Sequence, residues 1–220
     1  MGKRGPKPKR IIDEKWSPDL AYAVGLLATD GCITKSHLID LTSKDREQLE
    51  NYRRSLGIST PITRKWKKTG DRYLHVQFKN VYFYTFLVSV GLTPAKSKTL
   101  GALRIPQKLF FDFLRGAFDG DGYSYSYWDE RWKSSFMFYI GFASASKDFL
   151  LWIQSEVEKL LDIRGHITTM GKNHSYYQLK YAKADSFKIL KKMYKTPSVI
   201  CLSRKRLKID ETLRIVGQRL

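Results

Sequence analysis

The segment Tyr22–Gly31, YAVGLLATDG, returns ninety-one residues later as Phe113–Gly122, FLRGAFDGDG. Both copies place a glycine (Gly25, Gly116) five residues ahead of an Asp-Gly pair (Asp30-Gly31, Asp121-Gly122). Gly25 and Thr29 stand at i, i+4 on one predicted helix, and Gly116 and Gly120 do so on the other. Small residues at that spacing let two helices approach backbone to backbone. Asp30 and Asp121 then fall together at the C-terminal ends of the pair, with Gly31 and Gly122 expected as left-handed caps. A carboxylate there is disfavoured by the helix dipole and by its twin. A divalent cation reverses both penalties, and hard carboxylate oxygens suit Mg²⁺.

Outward from these segments, each half reads helix, two strands, helix, two strands, helix. In the first half, Ser17 and Pro18 start a helix that runs to about Asp30. A hairpin over 32–42 follows, then a helix over 45–56 with Leu49, Tyr52 and Leu56 on one stripe. Strands near 61–67 and 72–79 flank the turn Thr69-Gly70-Asp71, and an apolar helix spans 81–90. In the second half, Phe136, Phe138, Ile140 and Phe142 alternate as a strand, and Phe149, Ile153, Val157 and Leu160 keep helical spacing. Strands near 165–170 and 176–182, a helix near 185–194 and a basic amphipathic helix over 203–219 complete it. Ser43-Lys44-Asp45 is echoed by Ser146-Lys147-Asp148. That larger offset predicts a twelve-residue insertion between Tyr123 and Ser144, lengthening the first hairpin of the second half. The expected divisions are a disordered basic arm (1–16), a first repeat (17–95), a linker (96–106) and a second repeat with the basic helix (107–220). The fold class is α+β, with two αββαββα units related by a pseudo-twofold axis and antiparallel sheets forming a saddle.

Charge narrows the function. Forty Lys and Arg against 21 Asp and Glu leave a net +19, and a polyanion offsets such self-repulsion. The basic residues are spread along the chain, which argues against one membrane-binding face. With 42% hydrophobic and 14% aromatic residues, the chain reads as a packed globule, unlike a small ribosomal-type protein. No apolar run reaches the ~18 residues of a membrane span and no secretory signal opens the chain, so a soluble, intracellular protein is expected. Cys32 and Cys201 form no CxxC pair, and the four histidines show no metal-binding spacing. Lys3, Arg4, Lys7, Lys9 and Arg10, interleaved with Gly and Pro, suit either an arm along a DNA groove or a solvated tail.

The nine-residue segments AVGLLATDG (23–31) and LRGAFDGDG (114–122) resemble the motif of the LAGLIDADG family, matching its glycine, closing Asp and final Gly. The first copy departs at its start and at Ala28-Thr29, and the second at Arg115 and Ala117. The resemblance, which extends over the element order of residues 17–210, implies a single-chain homing endonuclease: a monomer that cuts both strands of a long asymmetric duplex site across the minor groove, leaving 3′ overhangs. Asp30 and Asp121 would be its metal-binding catalytic acids. A basic residue after the last short helix of each repeat assists in the family. It matches Lys96 and Lys205 here, with Lys98 and Arg204 as neighbouring possibilities. Ser43 and Ser146 occupy the place where a water-holding polar residue often stands. An RNA-splicing maturase and a non-cleaving DNA-binding regulator are the alternatives on the same fold.

The strands supply a reading surface. Leu74, Val76 and Phe78 face one way, so His75, Gln77 and Lys79 face the other, joined by Lys65 and Lys67. In the second half Gln178 and Lys180 point outward, with Arg131, Lys133 and Tyr139 on the long hairpin. Side chains of both hydrogen-bonding kinds on a β-ribbon can read base edges in the major groove of double-stranded DNA.

Overall fold

The computed structural model describes residues 9–66, 72–171 and 176–220. Its centre is a pair of helices, α1 (Pro18–Thr29) and α4 (Phe110–Asp121). Every residue of α1 from Leu20 to Ala28 is buried, so this helix is enclosed on all sides. The two helices touch through their glycines. A Cβ on Gly25 would lie 2.2 Å from the Phe113 carbonyl oxygen, and one on Gly116 would lie 2.0 Å from that of Tyr22. Tyr22 and Phe113 are repeat counterparts, as are Gly25 and Gly116, so the contact is pseudo-twofold. One turn on, a Cβ at Gly120 would meet Thr29 Oγ1 at 2.0 Å.

Around the pair, the first half carries β1 (Gly31–Ile33), β2 (Leu38–Ser43), α2 (Arg46–Leu56), β3 (Ile62–Trp66), β4 (Arg72–Lys79) and α3 (Val81–Val90). The second carries β5 (Gly122–Trp128), β6 (Phe136–Ser144), α5 (Lys147–Leu161), β7 (His166–Met170), β8 (Tyr176–Tyr181), α6 (Lys183–Met193) and finally α7 (Ser203–Ile215). The strands form two antiparallel four-stranded sheets, ordered β1-β2-β4-β3 and β5-β6-β8-β7. Each repeats the same topology, and each keeps an apolar face toward the core: Ile39, Leu41 and Val76 in one, Phe138, Ile140 and Phe142 in the other. Side-chain caps start the helices where expected. Ser17 Oγ accepts from Leu20 N at 3.1 Å and Asn80 Oδ1 from Phe83 N at 2.9 Å.

Three expectations need correction. Gly31 and Gly122 are not left-handed caps: Gly122 has φ −77°, and Gly31 is not among the glycines of positive φ. They are glycines because the chain passes directly from helix to strand. A Cβ would come within 2.6 Å of Leu27 Cα at the first and 2.5 Å of Phe118 Cα at the second. Secondly, the long second-half hairpin holds a ten-residue insertion, not twelve. Asp45 and Ser146 are the matching N-caps, and Ser43 matches Ser144, each accepting from the N–H two residues on at 3.0 Å. Thirdly, residues 9–16 are not a free arm. Ile12 is buried, Trp16 stacks edge-on to Phe86 at 5.2 Å, and Asn80 Nδ2 donates to the Lys9 carbonyl at 2.9 Å. Residues 1–8, Lys67 and the turn 69–71 lie outside the described residues.

The approach to α7 and its first turn tie the second half back to the first. Asn51 Nδ2 donates to the Cys201 carbonyl at 2.8 Å, Ser203 N to Glu47 at 3.0 Å, and Arg204 pairs with Asp45 at 2.8 Å.

Because the obstacles at Gly25 and Gly116 are backbone atoms, added carbon there must push the helices apart. Gly25→Ala and Gly116→Ala should each cost about 3 kcal/mol, lowering the thermal midpoint by roughly 10 °C. Gly101→Ala, where a Cβ meets open space, should change it little. Calorimetry of the three variants checks this.

Candidate metal centre and DNA-facing surface

The helix contact brings two carboxylates to one place. Asp30 is the C-cap of α1 and Asp121 is the last residue of α4. The Asp30 carboxylate reaches the neighbouring helix, since a Cβ on Gly120 would lie 3.1 Å from its Oδ2. Burial raises the pKa of Asp30, opposed by a hydrogen bond from Gln48 and by the charges of Lys205 and Lys96. Asp121 is open to solvent on one side, yet burial on the other and the Asp30 charge push its pKa up to about 6. Both groups therefore resist ionisation, which a cation would relieve. Among the described residues no group of three or more His, Cys, Asp or Glu forms a metal cage. Two carboxylates are nonetheless the donor set that Mg²⁺ accepts when water and phosphate complete its shell, so the residues present fit a divalent ion.

Gln48 was not expected in this site. Its Nε2 donates to Asp30 Oδ2 at 2.6 Å, and its Oε1 accepts from Ser43 Oγ at 2.6 Å. Ser43 thus reaches the acid only through Gln48, while Ser146 caps α5 and donates to the Leu100 carbonyl at 2.5 Å. The sequence signal was a polar residue on the buried stripe of α2, one turn before Tyr52. Its counterpart in the second half is Phe149, which packs on Phe113 and Trp152. The two acids consequently have unlike neighbours.

Both expected lysines stand close to the pair. Lys96, in a single 3-10 turn, is buried, which lowers its pKa against the opposing pull of Asp121, Cys32 and Asp30. Lys205, in the first turn of α7, donates to the carbonyls of Phe118 (2.6 Å), Gly120 (3.0 Å) and Gly122 (2.6 Å). These three bonds use all the hydrogens of its ammonium. Burial depresses its pKa to about 8, opposed by Asp119 and, more weakly, by Asp30 and Asp121. Lys98 and Arg204 are exposed, the latter paired with Asp45.

Asp119 was also unforeseen. It is fully buried, accepts from Tyr22 Oη and Leu202 N at 2.7 Å each, and has its pKa raised by burial to about 6. It thereby fixes the start of α7, and with it Lys205. The motif departure at Arg115 has a structural reason. Its guanidinium, buried, donates to Asp112 (2.9 Å) and to the Ile200 (2.9 Å) and Met193 (2.7 Å) carbonyls, so α4 holds the segment leading into α7.

The sheet faces differ in chemistry. On the first, Lys65, His75 and Gln77 do not stand free. All three converge on Asp40, a buried carboxylate on β2 that no motif or spacing singles out. Lys79 lies at the far end of β4, opposite Leu38. On the second sheet, Lys180 and Gln178 lie opposite Gly141 and Ala143. Tyr139 stacks on Tyr125 at 4.9 Å in a ladder that continues to Tyr123 and Tyr127. Arg131 and Lys133 sit exposed at the hairpin tip, where Arg131 pairs with Asp129.

A family model described as a LAGLIDADG-like domain matches residues 17–91, the first repeat. This chain is thus similar to the LAGLIDADG family over its first repeat. Solved structures of this fold align over most of its length. The homing endonuclease I-WcaI, bound to its DNA recognition sequence, matches with TM-score 0.59 and 15% identity over 93% of this chain and 94% of its own. I-DmoI in complex with DNA and Ca matches at TM-score 0.58 and 14% identity over 87% and 97%. Full-length DUF199/WhiA from Thermatoga maritima matches at 0.57 and 15% over 93% of this chain, which spans 62% of that protein. At such identities the likeness establishes the fold. No curated protein matches at the sequence level. No helix among the described residues is long and apolar enough to cross a membrane.

The raised carboxylate pKa makes apo stability pH-dependent. Unfolded Asp releases its proton near pH 4, and folded Asp121 near 6. Between these values the folded chain binds more protons, so stability is greatest below the window and falls as pH rises through it. Thermal midpoints measured in chelator from pH 4 to 7 should decline. Asp121→Asn should show a shallower decline, keeping the share that Asp119 contributes.

Proposed function

We propose that this chain is a site-specific, metal-dependent DNA endonuclease that hydrolyses one phosphodiester on each strand across the minor groove, leaving 3′ overhangs. The single observation that carries this reading is the acid pair: two carboxylates at a pseudo-twofold contact, each resisting ionisation, flanked by two partly or fully buried lysines. The fold alone does not choose, because WhiA and the homing endonucleases share it. A DNA-binding protein without cleavage has no need of both acids.

Asp30 and Asp121 would hold the cation, taken as Mg²⁺ here; the related I-DmoI structure contains Ca. When bound, such an ion polarises the scissile phosphate and lowers the pKa of an attacking water. Lys205 has no donor to spare, so it serves as a fixed positive charge beside the acids. Among the described residues no hydrogen bond holds the Lys96 ammonium, leaving it to donate to a phosphate oxygen as charge develops. Gln48 orients Asp30. The outer faces of the two sheets form the duplex-binding saddle, with the net charge of +19 supplying affinity for phosphates.

Two outcomes are expected. Asp30→Asn and Asp121→Asn should each abolish double-strand cutting of a randomised duplex library with Mg²⁺ while retaining DNA binding in gel shifts. Wild-type cutting by either variant would refute the assignment. The repeats being in one chain, the active species should be a monomer on one asymmetric site of roughly 20 base pairs, about one helical turn per half. Sedimentation should show one protein per duplex, and a stable two-protein complex would contradict it.

A further inference from the structure

Asp40 is an anomaly on a surface meant for a polyanion. It sits on the middle strand β2, opposite Cys32 on β1 and Gln77 on β4, and it is 5% exposed. Its Oδ2 accepts from Lys65 Nζ at 2.5 Å and Gln77 Nε2 at 3.4 Å, and its Oδ1 contacts His75 Nδ1 at 3.1 Å and Thr42 Oγ1 at 3.4 Å. Lys65 also donates to Thr42 at 3.0 Å. Such an acid adds nothing to phosphate affinity, since it cancels the charge of Lys65 and repels DNA.

What it does fix is direction. An ionised carboxylate only accepts hydrogen bonds, so the groups turned to it must be donors. Gln77 therefore presents its amide nitrogen inward and its Oε1 away from Asp40. His75 must carry hydrogen on Nδ1, which leaves Nε2 as the outward atom, a bare acceptor in the neutral ring. Gln77, and His75 in its neutral tautomer, are thereby both turned to accept.

We propose that Asp40 is a specificity-determining residue: by orienting His75 and Gln77, it makes the first sheet select bases that present an exocyclic amino group in the major groove. Those are adenine through N6 and cytosine through N4, as against the keto edges of guanine and thymine. The proposal rests on the DNA-binding reading given above and adds the chemistry of one half-site.

The test is binding selection from randomised duplexes with the wild-type chain, Asp40→Asn and Asp40→Ala, in Ca²⁺ to keep DNA intact. For the wild type, at least one position in the half-site under the first sheet should show A or C over G or T on a fixed strand. Replacing that base by purine or 2-pyrimidinone, which lack the amino group, should weaken binding about tenfold. Both variants should lose the amino preference there, keep selection in the other half-site, and bind non-specific DNA more tightly because a negative charge is gone. The wild-type base replacement needs no variant to fold. An unchanged amino preference in Asp40→Asn, or no effect of removing the amino group, would overturn the role of Asp40 while leaving DNA recognition standing. Failure of the wild type to select any duplex would overturn both.

Discussion

Backbone-to-backbone contact between α1 and α4 is the constraint from which the site follows. Two helices can come this close only where no side chain intervenes, and Gly25 and Gly116 remove the obstruction at the crossing. Their last turns then converge, so the residues that end them, Asp30 and Asp121, share one electrostatic environment. The strands begin at once, at Gly31 and Gly122, and lead outward into two sheets of equal topology. The proposed catalytic acids and the proposed reading surface are thus placed by the same packing event. Anything that widens the crossing must disturb both.

The repeat is symmetric in its backbone and unsymmetric in its chemistry. Gln48 holds Asp30 whereas its counterpart Phe149 packs on Phe113, and Asp119 anchors α7 where the first motif has Ala28. One sheet presents polar side chains gathered on a carboxylate, and the other presents a tyrosine ladder whose stacked rings cover one another's faces. A single chain can specialise each half in this way because the two copies no longer have to be identical. An asymmetric target suits such a surface.

Element order and the central pair were legible because they rest on strong local signals: a repeated glycine spacing, alternating Phe136–Phe142, and N-cap residues ahead of apolar stripes. The cap role of Gly31 and Gly122 was misjudged because Asp-Gly reads as a helix stop, whereas the deciding obstacle is a preceding turn of the same helix. The insertion length was misjudged because Ser-Lys-Asp occurs twice in different roles, and only hydrogen bonding distinguishes a cap from the residue before it. Asp40 and Asp119 could not be found by spacing, and the stripe position of Gln48 marks a buried polar residue without naming its partner. Each acts through partners far away in sequence, brought near by strand register or helix packing.

Asp30 and Asp121 are proposed to form one divalent-ion site together. Anomalous diffraction from crystals grown with a duplex selected for binding and soaked in Mn²⁺ would locate the ion. Manganese density is expected within coordinating distance of both carboxylates, and is expected to be lost in Asp121→Asn. Density bound elsewhere, or none at the acid pair in a well-ordered complex, would contradict that proposal.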